Sequence, residues 1–112
     1  MAESYSPRQE QWRKALHTIL LALGRKAGHG AVLESDLVSI LAQETKIPAE
    51  VTHDALDFLV RDGLISRSRL EGLVVNEDQF MLLPTGIQVL AGEEHKYIRF
   101  NGYLSARVTG GR

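Results

Sequence analysis

The sequence predicts an α+β domain made of three main helices, a β-hairpin packed against them, and a C-terminal extension with the composition of a second hairpin. Three observations carry this expectation. Apolar residues recur at helical spacing through residues 12–23, 37–41 and 51–59. Alternation of period two begins after Gly63. Asp62-Gly63, Pro84-Thr85-Gly86 and Asn101-Gly102 punctuate the chain where one pattern gives way to the next. At 112 residues the chain fits one small domain with one modest core.

Composition narrows the classes further. With 44% hydrophobic and 24% charged residues the chain is not largely disordered, and with 6% aromatics its core falls mainly to leucine, isoleucine and valine. The absence of cysteine excludes disulfides and cysteine-based zinc sites. No segment has the apolar length of a membrane span, and the N-terminus lacks the pattern of a secretory signal. The expectation is a cytoplasmic protein with no membrane partner.

The first helix should start at Ser6-Pro7-Arg8-Gln9, a capping box with proline in the first turn, and continue through Trp12, Ala15, Leu16, Ile19, Leu20 and Leu23. Gly24, Gly28 and Gly30 should end it, leading to a short strand at Ala31-Val32-Leu33. Ser35 suits the N-cap of a second helix whose buried face is Leu37, Ile40 and Leu41. Lys46-Ile47-Pro48 then forces a turn, because a residue before proline is pushed out of helical geometry. Pro48 suits the first position of the third helix, Glu50 complements its electropositive first turn, and Asp62-Gly63 stops it. Val51, Ala55, Phe58 and Leu59 form its inner face.

Beyond Gly63, residues 65–69 read as a strand, with Arg67 and Arg69 alternating outward. A loop should span both Glu71-Gly72 and Asn76-Glu77-Asp78, with Phe80 to Leu83 returning before a last helical segment at 87–91. Tyr97 to Phe100 and Tyr103 to Val108 flank Asn101-Gly102 as a hairpin would. This divides the chain into a domain over 6–92 and an extension over 93–112.

The formal charge of −1 hides a segregated pattern. Residues 1–30 hold Arg8, Arg13, Lys14, Arg25 and Lys26 against Glu3 and Glu10, whereas residues 31–64 hold seven acidic groups against Lys46 and Arg61. No catalytic constellation accompanies it. His17, His29, His53 and His95 stand in no metal or nucleophile motif, and the glycines at 24, 28 and 30 lack the lysine and hydroxyl of a phosphate loop. The expectation is therefore no enzyme, no metal and no cofactor.

A helix ending in Asp62-Gly63-Leu64-Ile65 and turning straight into a strand, after a shorter helix and a tight Lys46-Ile47-Pro48 junction, resembles the second half of a winged helix-turn-helix. LLPTGIQVL resembles the strand-to-helix exit of winged-helix regulators. The resemblance implies double-stranded DNA as partner, a homodimer reading paired half-sites, and contacts from the third helix and the wing. Thr52, His53 and Arg61 on that helix, Arg67 and Arg69 in the wing, and Arg25 and Lys26 at the end of the first helix are the candidates. Gly28 to Leu33, Asp36-Leu37 and PAEVTHDALDFLVRDGLI are also similar to the accessory winged-helix domain of RecD-like helicases. That similarity covers less than half the chain, and without a Walker motif it implies an interaction wedge, not a motor.

One feature opposes DNA. Helical rotation puts Glu50, Asp54 and Asp57 outward on the third helix, where phosphate would be met. The leading expectation is a non-enzymatic DNA-binding regulator of transcription. Its competitor is a protein-interaction module that offers Glu50, Asp54 and Asp57 to a basic partner.

Overall fold

The computed structural model describes residues 7–100. In chain order these form α1 (Pro7–Arg25), a 3-10 turn (Ala27–His29), β1 (Val32–Leu33), α2 (Glu34–Thr45), α3 (Ala49–Arg61), β2 (Ile65–Glu71), β3 (Asn76–Leu82) and α4 (Pro84–Leu90). Ala15, Leu16, Ile19, Leu20 and Leu23 make one stripe of α1 that has no exposed surface, and the other helices pack on it. Gly24 does not end α1 but lies inside it, where a Cβ would stand 3.0 Å from Leu90 Cδ1.

Helix α2 starts at Glu34, one residue before the expected cap. Instead of capping, Ser35 donates its backbone N–H to Glu77 Oε1 at 2.9 Å and its hydroxyl to Glu77 Oε2 at 3.1 Å. A full carboxylate reaching in from β3 is a better acceptor for an orphan first-turn N–H than a local hydroxyl. The helix ends on Lys46 in the left-handed conformation, φ 59°, and Ile47 N–H donates to Leu41 O at 3.2 Å. Pro48 is the N-cap of α3 rather than its first residue, and its carbonyl accepts from Val51 N–H and Thr52 N–H at 3.1 and 3.2 Å. At the far end Gly63 takes φ 80°, as the stop requires, and Leu64 N–H reaches Leu59 O at 3.0 Å.

The sheet has the order β1-β3-β2, all antiparallel, and the hairpin runs in register from Ile65↔Leu82 to Glu71↔Asn76. Its loop is shorter than expected. Only residues 72–75 connect the strands, closed by Gly72 N–H to Val75 O at 2.7 Å. Asn76, Glu77 and Asp78 join the ladder, where the two carboxylates have partners: Asp78 faces Arg69, and Glu77 holds Ser35. Helix α4 follows directly, with Gly86 against the backbone at Leu64.

The core takes Leu16, Ile19, Leu20, Leu37, Leu41, Val51, Ala55 and Leu59 as periodicity predicts, and adds Leu56, Leu64, Ile65 and Phe80. Phe58 and Leu83 are only half-buried. Residues 93–100 form no regular element, so the expected strand at Tyr97–Phe100 is absent. Their apolar groups are spent on the helices instead: Ile98 and Phe100 are buried, and Tyr97 stands edge-on to Trp12 and Phe58 at centroid distances of 5.6 and 5.7 Å. His95 Nε2 donates to Asp62 at 2.5 Å, while its Nδ1 accepts from Tyr97 N–H at 3.0 Å. Residues 95–100 thus share the core of the domain assigned to 6–92. Ser6 of the capping box, the Asn101-Gly102 turn and the strand at 103–108 lie outside the described residues.

Candidate nucleic-acid interface

Helix α3 buries Val51, Ala55, Leu56 and Leu59 against the core, so Glu50, His53, Asp54, Asp57 and Arg61 face outward. Thr52 does not join them. It is fully buried, and its hydroxyl donates to Pro48 O at 3.4 Å, which removes it from the candidate contacts. Its position, diametrically across from Glu50 on the helix, lies among the inward residues, and the hydroxyl is satisfied within its own first turn.

The wing arginines correct a second expectation. Arg67 pairs across the hairpin with Phe80 and Arg69 with Asp78, on the same face as buried Ile65 and Leu82. Both stay exposed, but Arg67 turns toward α3 while Arg69 keeps its contacts within the wing. The Arg67 guanidinium lies 5.2 Å from the Phe80 ring centroid, donates from Nη2 to Asp57 Oδ1 at 2.6 Å, and brings Nε within 3.4 Å of Asp78 Oδ2. Arg69 donates to Asp78 Oδ1 and to Asn76 O, each at 3.2 Å.

On the opposite flank of α3, Arg8 reaches over from α1. Its Nη2 donates to Asp54 Oδ2 at 3.2 Å, and its Nη1 stands 3.7 Å from Glu50 Oε2. His53 Nε2 lies 3.0 Å from Glu34 Oε2 on α2. Arg61 is exposed and has no ion pair among the described residues. Arg8 is the residue that sequence reasoning missed. It stands 46 positions from Asp54, and only the packing of α1 on α3 relates the two.

Arg25 and Lys26 are not brought to this surface. They line a groove with Val32, Asp36, Ser39 and Ile40, on the α1 flank of α2, whereas α3 packs along the flank where Glu34 meets His53. The surface that does assemble is the outward face of α3, with the wing on one flank and Arg8 of α1 on the other. On it every outward carboxylate of α3 has an arginine partner: Glu50 and Asp54 share Arg8, and Asp57 holds Arg67.

Among the described residues no group of His, Cys, Asp and Glu is arranged to hold a metal ion, and no helix is long and apolar enough to cross a membrane.

Helix–turn–helix α2–α3, buttressed by α1 and followed by the hairpin β2–β3, defines a winged helix, and comparison with solved structures gives the same class. The chain superposes on Bacillus subtilis PadR, solved in complex with operator DNA, with a TM-score of 0.56 and 18% sequence identity, covering 87% of this chain and 59% of that one. It superposes on a protein from Enterococcus faecalis V583 described as a MarR-family transcriptional regulator with a TM-score of 0.52 and 21% identity, covering 99% of this chain and 91% of that one. The chain therefore spans less than two thirds of the PadR chain. No protein-family model matches the sequence, and comparison with curated proteins finds no match.

Proposed function

We propose that this chain is a non-enzymatic regulator of transcription that binds double-stranded DNA on the outward face of α3 and the wing beside it. The observation that carries the reading is the pairing of the α3 face. Three lone carboxylates would repel phosphate, but here Arg8 and Arg67 between them hold all three, so two of the three charges are offset and the cations are already on the surface that a duplex would meet. The fold supports the same reading, since the PadR structure to which it is similar holds operator DNA. In winged helices of this connectivity the helix after the turn enters the major groove while the wing reaches the backbone. Here His53 and Arg61 are the exposed candidates for base edges, and Arg67, Arg69 and Arg8 for phosphates. A homodimer in the cytoplasm, placing two α3 helices on paired half-sites, completes the proposal.

The competing use of Glu50, Asp54 and Asp57 against a basic protein has no parallel in the similar structures, which are regulators of transcription. The deciding experiment is a titration of a mixed-sequence duplex at several salt concentrations. Arg67→Ala with Arg69→Ala should weaken binding and flatten the salt slope by about one to two units. Silence of this pair, or failure of the unaltered protein to bind duplex at low salt, overturns the reading.

A further inference from the structure

Two arginines from different elements converge on one face of α3, one from each side. Arg8 comes from the first turns of α1 and meets Glu50 and Asp54; Arg67 comes from the wing and meets Asp57. A guanidinium holding a carboxylate through N–H donors at about 3 Å presents the same donors that it would present to a phosphate oxygen. We infer that Glu50, Asp54 and Asp57 act as built-in stand-ins for phosphate, occupying the two arginines that flank α3 and so suppressing binding to duplex of indiscriminate sequence. The inference rests on the DNA-binding reading and adds to it a role for the three carboxylates.

The physical case has two parts. Every pair is solvent-accessible, with side-chain exposures of 61% for Arg8, 72% for Glu50, 59% for Asp54, 37% for Arg67 and 55% for Asp57, so each is weak and exchangeable rather than structural. A phosphate that takes either arginine must displace a carboxylate, which is then left beside the negative backbone. That penalty falls on every duplex alike. A sequence offering good base contacts to His53 and Arg61 offsets it, whereas an arbitrary sequence does not, and specificity is the difference between the two. Arg69, held by Asp78 and Asn76 within the wing, stands outside this exchange.

The test uses the full chain, a mixed-sequence duplex, and a duplex recovered by the unaltered protein from a random pool. The triple variant Glu50→Gln, Asp54→Asn, Asp57→Asn should bind the mixed duplex about five- to thirtyfold more tightly, with a salt slope steeper by about one unit for Arg8, which is freed outright, and by less for Arg67, which keeps Asp78 at 3.4 Å. Its preference for the recovered duplex should shrink by a similar factor. Adding Arg8→Gln and Arg67→Gln to the triple variant should remove most of both gains. A control pair on α2, Asp36→Asn beside Arg25 and Lys26 and Glu44→Gln in the last turn, should change affinity by less than about twofold, because exposed charges off the contact face are screened. If the gain survives loss of both arginines, or the control pair reproduces it, bulk charge explains the effect and the inference fails. If the unaltered protein binds duplex and the triple variant binds no better, the stand-in role falls while the DNA reading stands. If neither binds at low salt, the DNA reading itself is wrong and the inference goes with it.

Discussion

Lys46 holds a backbone conformation that a side chain disfavours, φ 59°, because α2 must reverse within the few residues that precede α3. Lys46→Gly should therefore stabilise the fold by about 0.5–1 kcal/mol, read as a raised midpoint in urea. Gly86 obeys the opposite constraint. A Cβ there would stand 2.2 Å from the Leu64 carbonyl oxygen, a backbone atom that cannot step aside, so Gly86→Ala should cost about 3 kcal/mol by prising α4 from the sheet. Phe58 is intermediate in exposure but edge-on to Trp12 at 5.0 Å, and Phe58→Ala should cost about 3 kcal/mol in the same measurement. Only part of this was legible in the residues. A proline at 48 announces the turn, but nothing near Gly86 tells of a carbonyl more than twenty positions away.

Elements were most legible where the chain marks its own boundaries. Helix α3 has a proline before it, a glycine after it and a full apolar stripe, and its ends fall within a residue of expectation. The hairpin loop is shorter than the sequence suggests because Asn76-Glu77-Asp78 has turn propensity that cross-strand partners override. The same partners explain the start of α2, whose first turn is held by Glu77 of β3. Glu77→Ala should thus cost about 1 kcal/mol, more than Ser35→Ala, since only the former orphans a first-turn N–H; calorimetric melts of the two variants check the order. Equal losses would mean that the Ser35 hydroxyl, rather than the carboxylate, ties the helix to the sheet.

At the scale of the whole molecule, the fold brings the two segregated charge blocks together. The basic first helix and the acidic third helix are adjacent in space, and Arg8 meets Glu50 and Asp54 across their contact. Sequence order shows both blocks but not that they touch, and for the same reason the segment after α4 read as a separate extension. Its Ile98 and Phe100 are in fact buried in the shared core. Truncation after Gly92 removes them together with Tyr97, and should lower stability by about 3–5 kcal/mol on area and packing grounds. A melt unchanged by that truncation would show the segment to be a passenger.

Trp12, the single tryptophan of the chain, sits where α1, α3 and the segment through Tyr97 meet, with Phe58 at 5.0 Å and Tyr97 at 5.6 Å. Its fluorescence is therefore a local optical reporter of that junction alone. Emission will shift when residues 95–100 lift away or α1 separates from α3, and will stay silent when only the wing opens. An unfolding curve followed by tryptophan emission and one followed by the amides of β2 need not coincide in this protein, and any gap between them measures how independently the wing melts.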